Sequence, residues 1–381
     1  MNRRIFKAVA VPALLVASLL VVLCGAASAA QVEKPLTSQE LVRLVYQLPS
    51  QPQNRDAVIE EIRRRGIGFE LTPGIRSVVA TKSGNDALLR RTLEEAARRR
   101  ANPTGYAPPS VAESAEVLAN ARRISLEAAK AIPDFVVKQL VTRSEARGQT
   151  QNWQVRDRLT VAVSYRESAG EQYKLLAVNG LPNPSSGAER ASYEQAGGST
   201  TTGEFASLLI RIFSDEAATT FQAAASDTLR GRRTIIYNFD IKKDLARNRL
   251  LYGGDGETRT TTTGLRGRIW IDRENFRVLR AEYTTTDVEP DFPIRQLDKT
   301  IDFDWVAISD RQYLLPTAAA ATFTTVVPVR YIERGGRGKF TQMETVQSRN
   351  EIRFRNYQRF GSEVKIIEEG DFEEEPPAKK P

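Results

Sequence analysis

Arg266-Gly267-Arg268-Ile269-Trp270-Ile271-Asp272, then Arg273-Glu274-Asn275 and Phe276-Arg277-Val278-Leu279-Arg280-Ala281-Glu282-Tyr283, reads as a strand, a polar turn and a second strand. β-Branched and aromatic residues share both arms with arginine, the pattern of a sheet that is dry on one face and wet on the other. The same period of two recurs on either side. Leu159, Val161, Val163 and Tyr165 alternate with polar or small residues, as do Ile235, Tyr237, Phe239 and Ile241, and Ile301, Phe303 and Trp305 against Asp302 and Asp304. Further strands are predicted over 135–142, 173–178, 221–225, 313–327, 352–357 and 364–367, with turns at Asn179-Gly180, Asp310-Arg311 and Gly335-Gly336.

The sheet is preceded by helical punctuation. Thr37 with Glu40 makes a capping box, Asn54 precedes a helix that stops at Gly66, Thr72-Pro73 opens a third, and Ser83 with Asp86 opens a fourth. In the fourth, Leu88, Leu89, Leu93 and Ala96 form the face to be buried, and Arg90, Arg91, Arg98, Arg99 and Arg100 the wet side. Residues 35–100 are therefore expected to be a small all-helical module, with 101–110, rich in Pro and Gly, as its linker. A long helix follows over 111–132, ended by Pro133, and a second one is inserted among the strands at 203–215. The expected class is α+β, a long antiparallel sheet with one helix before it and another inserted. The stretches 185–202 and 253–263 read as mobile loops, and the acidic, Pro- and Lys-containing tail 368–381 as disordered.

Residues 1–30 read as a secretory signal peptide. Arg3, Arg4 and Lys7 precede the apolar run 8–23, and the small residues 26–30 predict cleavage near Ala29 or Ala30. Cys24 would be the acceptor of a lipid anchor, but Leu23 stands where that signal wants a small residue, so a periplasmic or secreted protein with no transmembrane span after cleavage is the preferred reading. Removing the three signal cations takes the formal charge from +8 to +5. Cys24 is the one cysteine among 381 residues and there is no histidine. The mature chain thus lacks the residues for disulfides, Cys/His zinc sites, thiol nucleophiles, Ser-His-Asp triads and imidazole acid–base chemistry. No enzyme activity, cofactor or metal site is expected, and export argues against nucleic acid as a partner.

The strand pattern Gly267-Arg268-Ile269-Trp270-Ile271-Asp272 with Val278-Leu279-Arg280-Ala281-Glu282, followed by Tyr313-Leu314-Leu315-Pro316, resembles the outer-membrane lipoprotein-sorting group that includes LolA and LolB. Arg230-Gly231-Arg232, Phe354-Arg355-Asn356-Tyr357 and Phe360-Gly361 resemble exported acidobacterial proteins of the same type. The resemblance covers roughly 111–367 and implies a domain built as a curved antiparallel β-sheet, a half-barrel covered by helices that close an apolar cavity for a lipid or lipoprotein acyl chain. It shares no catalytic motif, and the helical module and long loops depart from the small carriers.

On that basis Phe205, Leu208, Leu209 and Ile212, spaced for one helix face, form a lid over the inward residues Leu159, Val161, Ile235, Tyr237, Phe239, Ile301, Phe303 and Trp305. These twelve are the candidate ligand-binding residues. The competing reading is a filled core in an envelope structural or interaction protein, with 35–100 docking a partner. Other candidates have plainer explanations. Asp302 with Asp304, and Asp287, Glu289 and Asp291, are acidic groups that fit a solvated sheet face and a loop better than paired catalytic carboxylates or a calcium loop. Ser362-Glu363-Val364-Lys365 lacks the companion motifs of a Ser-x-x-Lys hydrolase, and Gly335–Lys339 fails the phosphate-loop spacing. Arg349, Arg353, Arg355 and Arg359, interleaved with aromatics, are expected on the wet face of an edge strand.

Overall fold

Four helices come first, and the first, third and fourth are opened by a side-chain cap, whereas Asn54 makes no capping bond before the second. The computed structural model describes residues 33–148, 152–183, 193, 199–200, 202–254, 257–332 and 339–360. The signal segment 1–30, the strand expected at 364–367, the tail 368–381 and the Gly335-Gly336 turn lie outside these residues, as does most of 185–202. Thr37 closes its capping box with Glu40 at the start of α1 (Ser38–Tyr46), and α2 (Arg55–Arg65) stops at Gly66, whose φ of +67° suits glycine. Thr72 and Pro73 open α3 (Pro73–Lys82). Asp86 alone caps α4 (Ala87–Ala101), accepting from Leu89 N at 2.7 Å, whereas Ser83 ends α3. The four helices share a core of Leu41, Val45, Ile59, Ile62, Val79, Leu89 and Leu93.

After α5 (Val111–Ala131) the chain becomes an antiparallel, open sheet of β1 (Phe135–Arg147), β2 (Gln154–Arg166), β3 (Gly170–Val178), β4 (Leu181–Pro182), β5 (Thr220–Leu229), β6 (Arg232–Ile241), β7 (Asn248–Gly254), β8 (Glu257–Asp272), β9 (Val278–Thr286), β10 (Ile294–Ile308), β11 (Arg311–Ile332) and β12 (Lys339–Arg359). Its order is β4-β3-β2-β1-β12-β11-β10-β9-β8-β6-β5, with β7 paired to β8. α6 (Ala206–Phe213) enters between β4 and β5, and the single turn α7 (Lys243–Ala246) between β6 and β7. Residues from β1–β3 and from β6 meet α5 and α6 in one core, so the sheet curves around these two helices.

Three expectations about whole strands need correction. Residues 253–254 and 257–263 are strand and not loop: Asn248 to Gly254 pairs with Thr263 to Glu257, because Thr258 and Thr260–Thr263 are β-branched and the buried Asn248 and Thr263 side chains bond at 2.9 Å. The 352–357 strand is not an edge, since β12 lies between β1 and β11. The third concerns the opening hairpin, which is dry on both faces. Ile269, Ile271 and Ala281 enter the core, while Trp270 on the opposite face is fully buried and Arg268 and Glu282 are 6% and 5% exposed.

The helical module covers that second face. Arg268 pairs with Glu95 of α4 at 3.1 Å, and Glu282 with Arg91 at 2.8 Å. Arg98 reaches Asp227 of β5, which also accepts from the Trp270 indole at 3.1 Å. Arg55 joins Asp86 at 3.0 Å to Asp298 of β10 at 3.2 Å. Arg91, Arg98 and Arg99, expected on the wet side, thus face the sheet or, for Arg99, the Arg63 carbonyl. The linker also packs down: Tyr106 is buried and the Ala107 carbonyl accepts from Ser226. Such pairs specify how surfaces mate more than they stabilise, because desolvation offsets much of the attraction, yet a lone survivor is costly.

On the inner face Gly267 leaves room where the sheet is tightest. A Cβ there would sit 2.1 Å from the Glu282 carbonyl oxygen and 2.7 Å from the Phe239 ring. Gly267→Ala is expected to destabilise the fold by at least ~2 kcal/mol in urea unfolding. Glu95→Ala should cost about 3–5 kcal/mol by stranding Arg268, and Glu95→Leu combined with Arg268→Met should recover most of the loss.

Candidate ligand-binding site

The strand registers set the inner face in transverse rows. One row runs Leu159, Val141, Ile352, Ala319, Ile301, Ala281, Ile269 and Tyr237 from β2 to β6, apolar throughout. A neighbouring row contains Val161, Gln139 and Phe354 on one side and Val278, Ile271 and Ile235 on the other. Leu208, Ile212, Leu159, Val161, Ile235, Tyr237, Phe239 and Ile301 are each no more than 2% exposed and belong to one packed core with α5. The helix of the lid is shorter than the 203–215 expected, with Phe205 at its N-cap.

The remaining four candidates, Phe205, Leu209, Phe303 and Trp305, line a cleft of about 220 Å³ between the C-terminal half of α5, α6 and the ends of β9 to β11. Its other walls include Ala128, Ala129, Ile132, Leu315 and Pro316. Phe205 is wedged among Phe135, Phe354 and Tyr357, at centroid distances of 5.3, 5.2 and 6.4 Å, and the Tyr357 hydroxyl donates to the Pro316 carbonyl. Trp305 was expected inward but is 41% exposed at the cleft. The ladder slips between Asp302 and Phe303, with Phe303 opposite Pro316, which cannot donate to it.

The cleft exists because α5 turns Ser125, Ala128, Ala129 and Ala131 toward aromatic strands. These side chains are too short to fill the gap. Their run of small residues within an otherwise amphipathic helix was the signal available in the sequence. Arg277, which also lines the cleft, escaped notice because it sits in the hairpin turn, where Phe276 takes φ +58° and Asp272 accepts from Glu274 N and Asn275 N.

A second group on the inner face is polar. Lys299 and Glu204 form a 2.7 Å ion pair, 3% and 0% exposed, and Lys299 also donates to the Thr202 carbonyl. Glu171 accepts from Ser207 at 2.9 Å and Gly203 N at 3.0 Å, and bonds Tyr173, whose hydroxyl lies 3.2 Å from Glu204. These contacts fasten the segment leading into α6. The cluster was missed because Lys299 and Glu204 are far apart in sequence. Asp302 bonds Arg230 and Arg280, Asp304 lies 3.6 Å from Arg230, Glu289 pairs with Lys243 and Asp291 with Arg259. Asp287 accepts from the Thr286 hydroxyl, and Arg349 lies over Trp153. Ser362–Lys365 and most of Gly335–Lys339 are outside the described residues.

Burial, then Glu204, pushes the Glu171 carboxyl up from its ordinary value, against its hydrogen bonds from Tyr173, Ser207 and Gly203. A carboxyl raised on folding gives its full contribution below the unfolded value of about 4.3 and loses it as pH rises through the folded one. Glu171→Gln should therefore leave stability little changed near pH 4 and raise it near pH 8, flattening the pH dependence of the urea midpoint.

No family model matches the chain, and no curated protein does. Among solved structures it is similar to a DUF1329 family protein from Desulfovibrio piger, 12% identical over 66% of this chain and 95% of that one, with a TM-score of 0.30. It is also similar to an outer membrane lipoprotein-sorting protein domain from Vibrio parahaemolyticus, 12% identical over 65% of this chain and 93% of that one, with a TM-score of 0.26.

Proposed function

We propose that the protein is an exported binding protein that holds an acyl chain or another slender apolar ligand in the cleft beside α5 and works by binding and release, without a cofactor. The observation that carries this reading is an apolar cleft of about 220 Å³ walled by Phe205, Leu209, Phe303 and Leu315, with a half-exposed tryptophan at its side. That volume is below the roughly 300–1,000 Å³ of pockets for drug-sized ligands, which favours a single chain over a two-chain lipid. The signal reading of residues 1–30 supports the periplasm or the exterior as the place of action. Among the described residues no helix is long and apolar enough to cross a membrane.

The filled rows of the inner face favour a second reading, an envelope interaction protein with no guest. On either reading, we take residues 35–100 as a buttress held through 101–110 to the 111–367 domain; the face that a partner would use is the one turned away from the sheet. Native mass spectrometry of the protein purified from its own envelope separates the two: co-purifying acyl species are expected, and a ligand-free protein whose Trp305 emission ignores added medium-chain lipids would sink the carrier. Ala128→Phe, which fills the cleft from the half-buried helix face, should remove the ligand response and leave the melting temperature nearly unchanged.

A further inference from the structure

Arg277 is the charged member of the cleft lining, and no carboxylate lines it. The arginines nearby in sequence are neutralised: Arg268 by Glu95, Arg273 by Glu113 and Arg280 by Asp302. Among the described residues no carboxylate comes within 4.0 Å of Arg277. Its guanidinium makes one long bond, 3.4 Å to the Ile124 carbonyl, and lies 5.9 Å from the Trp305 ring centroid. Burial lowers its pKa, countered only in part by Glu127, which is itself 2.9 Å from Arg123. A half-buried cation beside an apolar wall is stabilised when an anion replaces the water it has lost. Gln312 and Tyr313, on the same rim, add polar groups.

We infer that the ligand is a single-chain amphiphile with an anionic head, its charge held by the Arg277 guanidinium while its chain lies against Phe205, Leu209, Phe303 and Leu315. This rests on the proposed use of the cleft and adds the class of ligand. A carboxylate and a phosphate monoester share the required chemistry.

Calorimetry of the full chain with decanoate, decyl phosphate and decanol at neutral pH tests it. Decanoate or decyl phosphate is expected to bind at least ten-fold more tightly than decanol, and whichever is tighter identifies the head. Arg277→Gln should weaken the anion about ten-fold and leave decanol unchanged, Arg277→Lys should keep part of the preference, and high salt should narrow it. Equal binding of anion and alcohol by the native chain, or equal weakening of both by Arg277→Gln, overturns the inference while sparing the apolar site. If none of the three binds, the proposed function falls and this inference with it.

Discussion

Successive residues of the β8–β9 hairpin point to opposite sides of the sheet, and both sides end in protein. Inward, Ile269, Ile271 and Ala281 join the apolar core around α5 and α6. Outward, Arg268 and Glu282 meet α2 and α4 through arginine–carboxylate pairs, and the Trp270 indole donates to Asp227, which Arg98 of α4 also reaches. Water is excluded from both faces by different means, and the second means is the more exacting: each charge needs its own partner, so the module has few ways to sit. The hairpin is the wall between a hydrophobic interior and an ionic interlayer.

The candidate site follows from where that packing fails. Most of the inner face is closed by large side chains in register, but α5 brings alanine and serine to the ends of β9 to β11, and the slipped ladder at Phe303 leaves Trp305 beside the gap. On the opposite stretch of the inner face the Lys299–Glu204 pair and the Glu171–Tyr173–Ser207 bonds hold the segment entering α6. Helix α6 is thus fixed by polar bonds at its start and by Leu208 and Ile212 along its length.

Much of this was legible in the residues. Alternation located nearly every strand, and caps at Thr37, Thr72 and Asp86 located helices, because both are set by neighbours a few positions away. The threonine run before Thr263 was misread as a loop because it lacks apolar alternation; its β-branched shape, and pairing with β7, decided otherwise. Arg91 and Arg98 were misplaced because an arginine that meets water and one that meets a carboxylate are identical in sequence. The eight strand candidates were grouped by parity and the four helix candidates by spacing, which give the face of an element but not whether the space in front of it is filled.

The sequence by itself determined the four leading helices, where most strands lie along the chain, one dry face for most of them and the absence of histidine from the whole chain, all local or compositional properties. Only the tertiary structure decided that the arginine face is buried, that β12 is interior, and that of a largely apolar inner wall one end stays open with Arg277 on its rim. The physical reason is that packing depends on the volumes and charges that distant segments bring to one place, and periodicity carries neither.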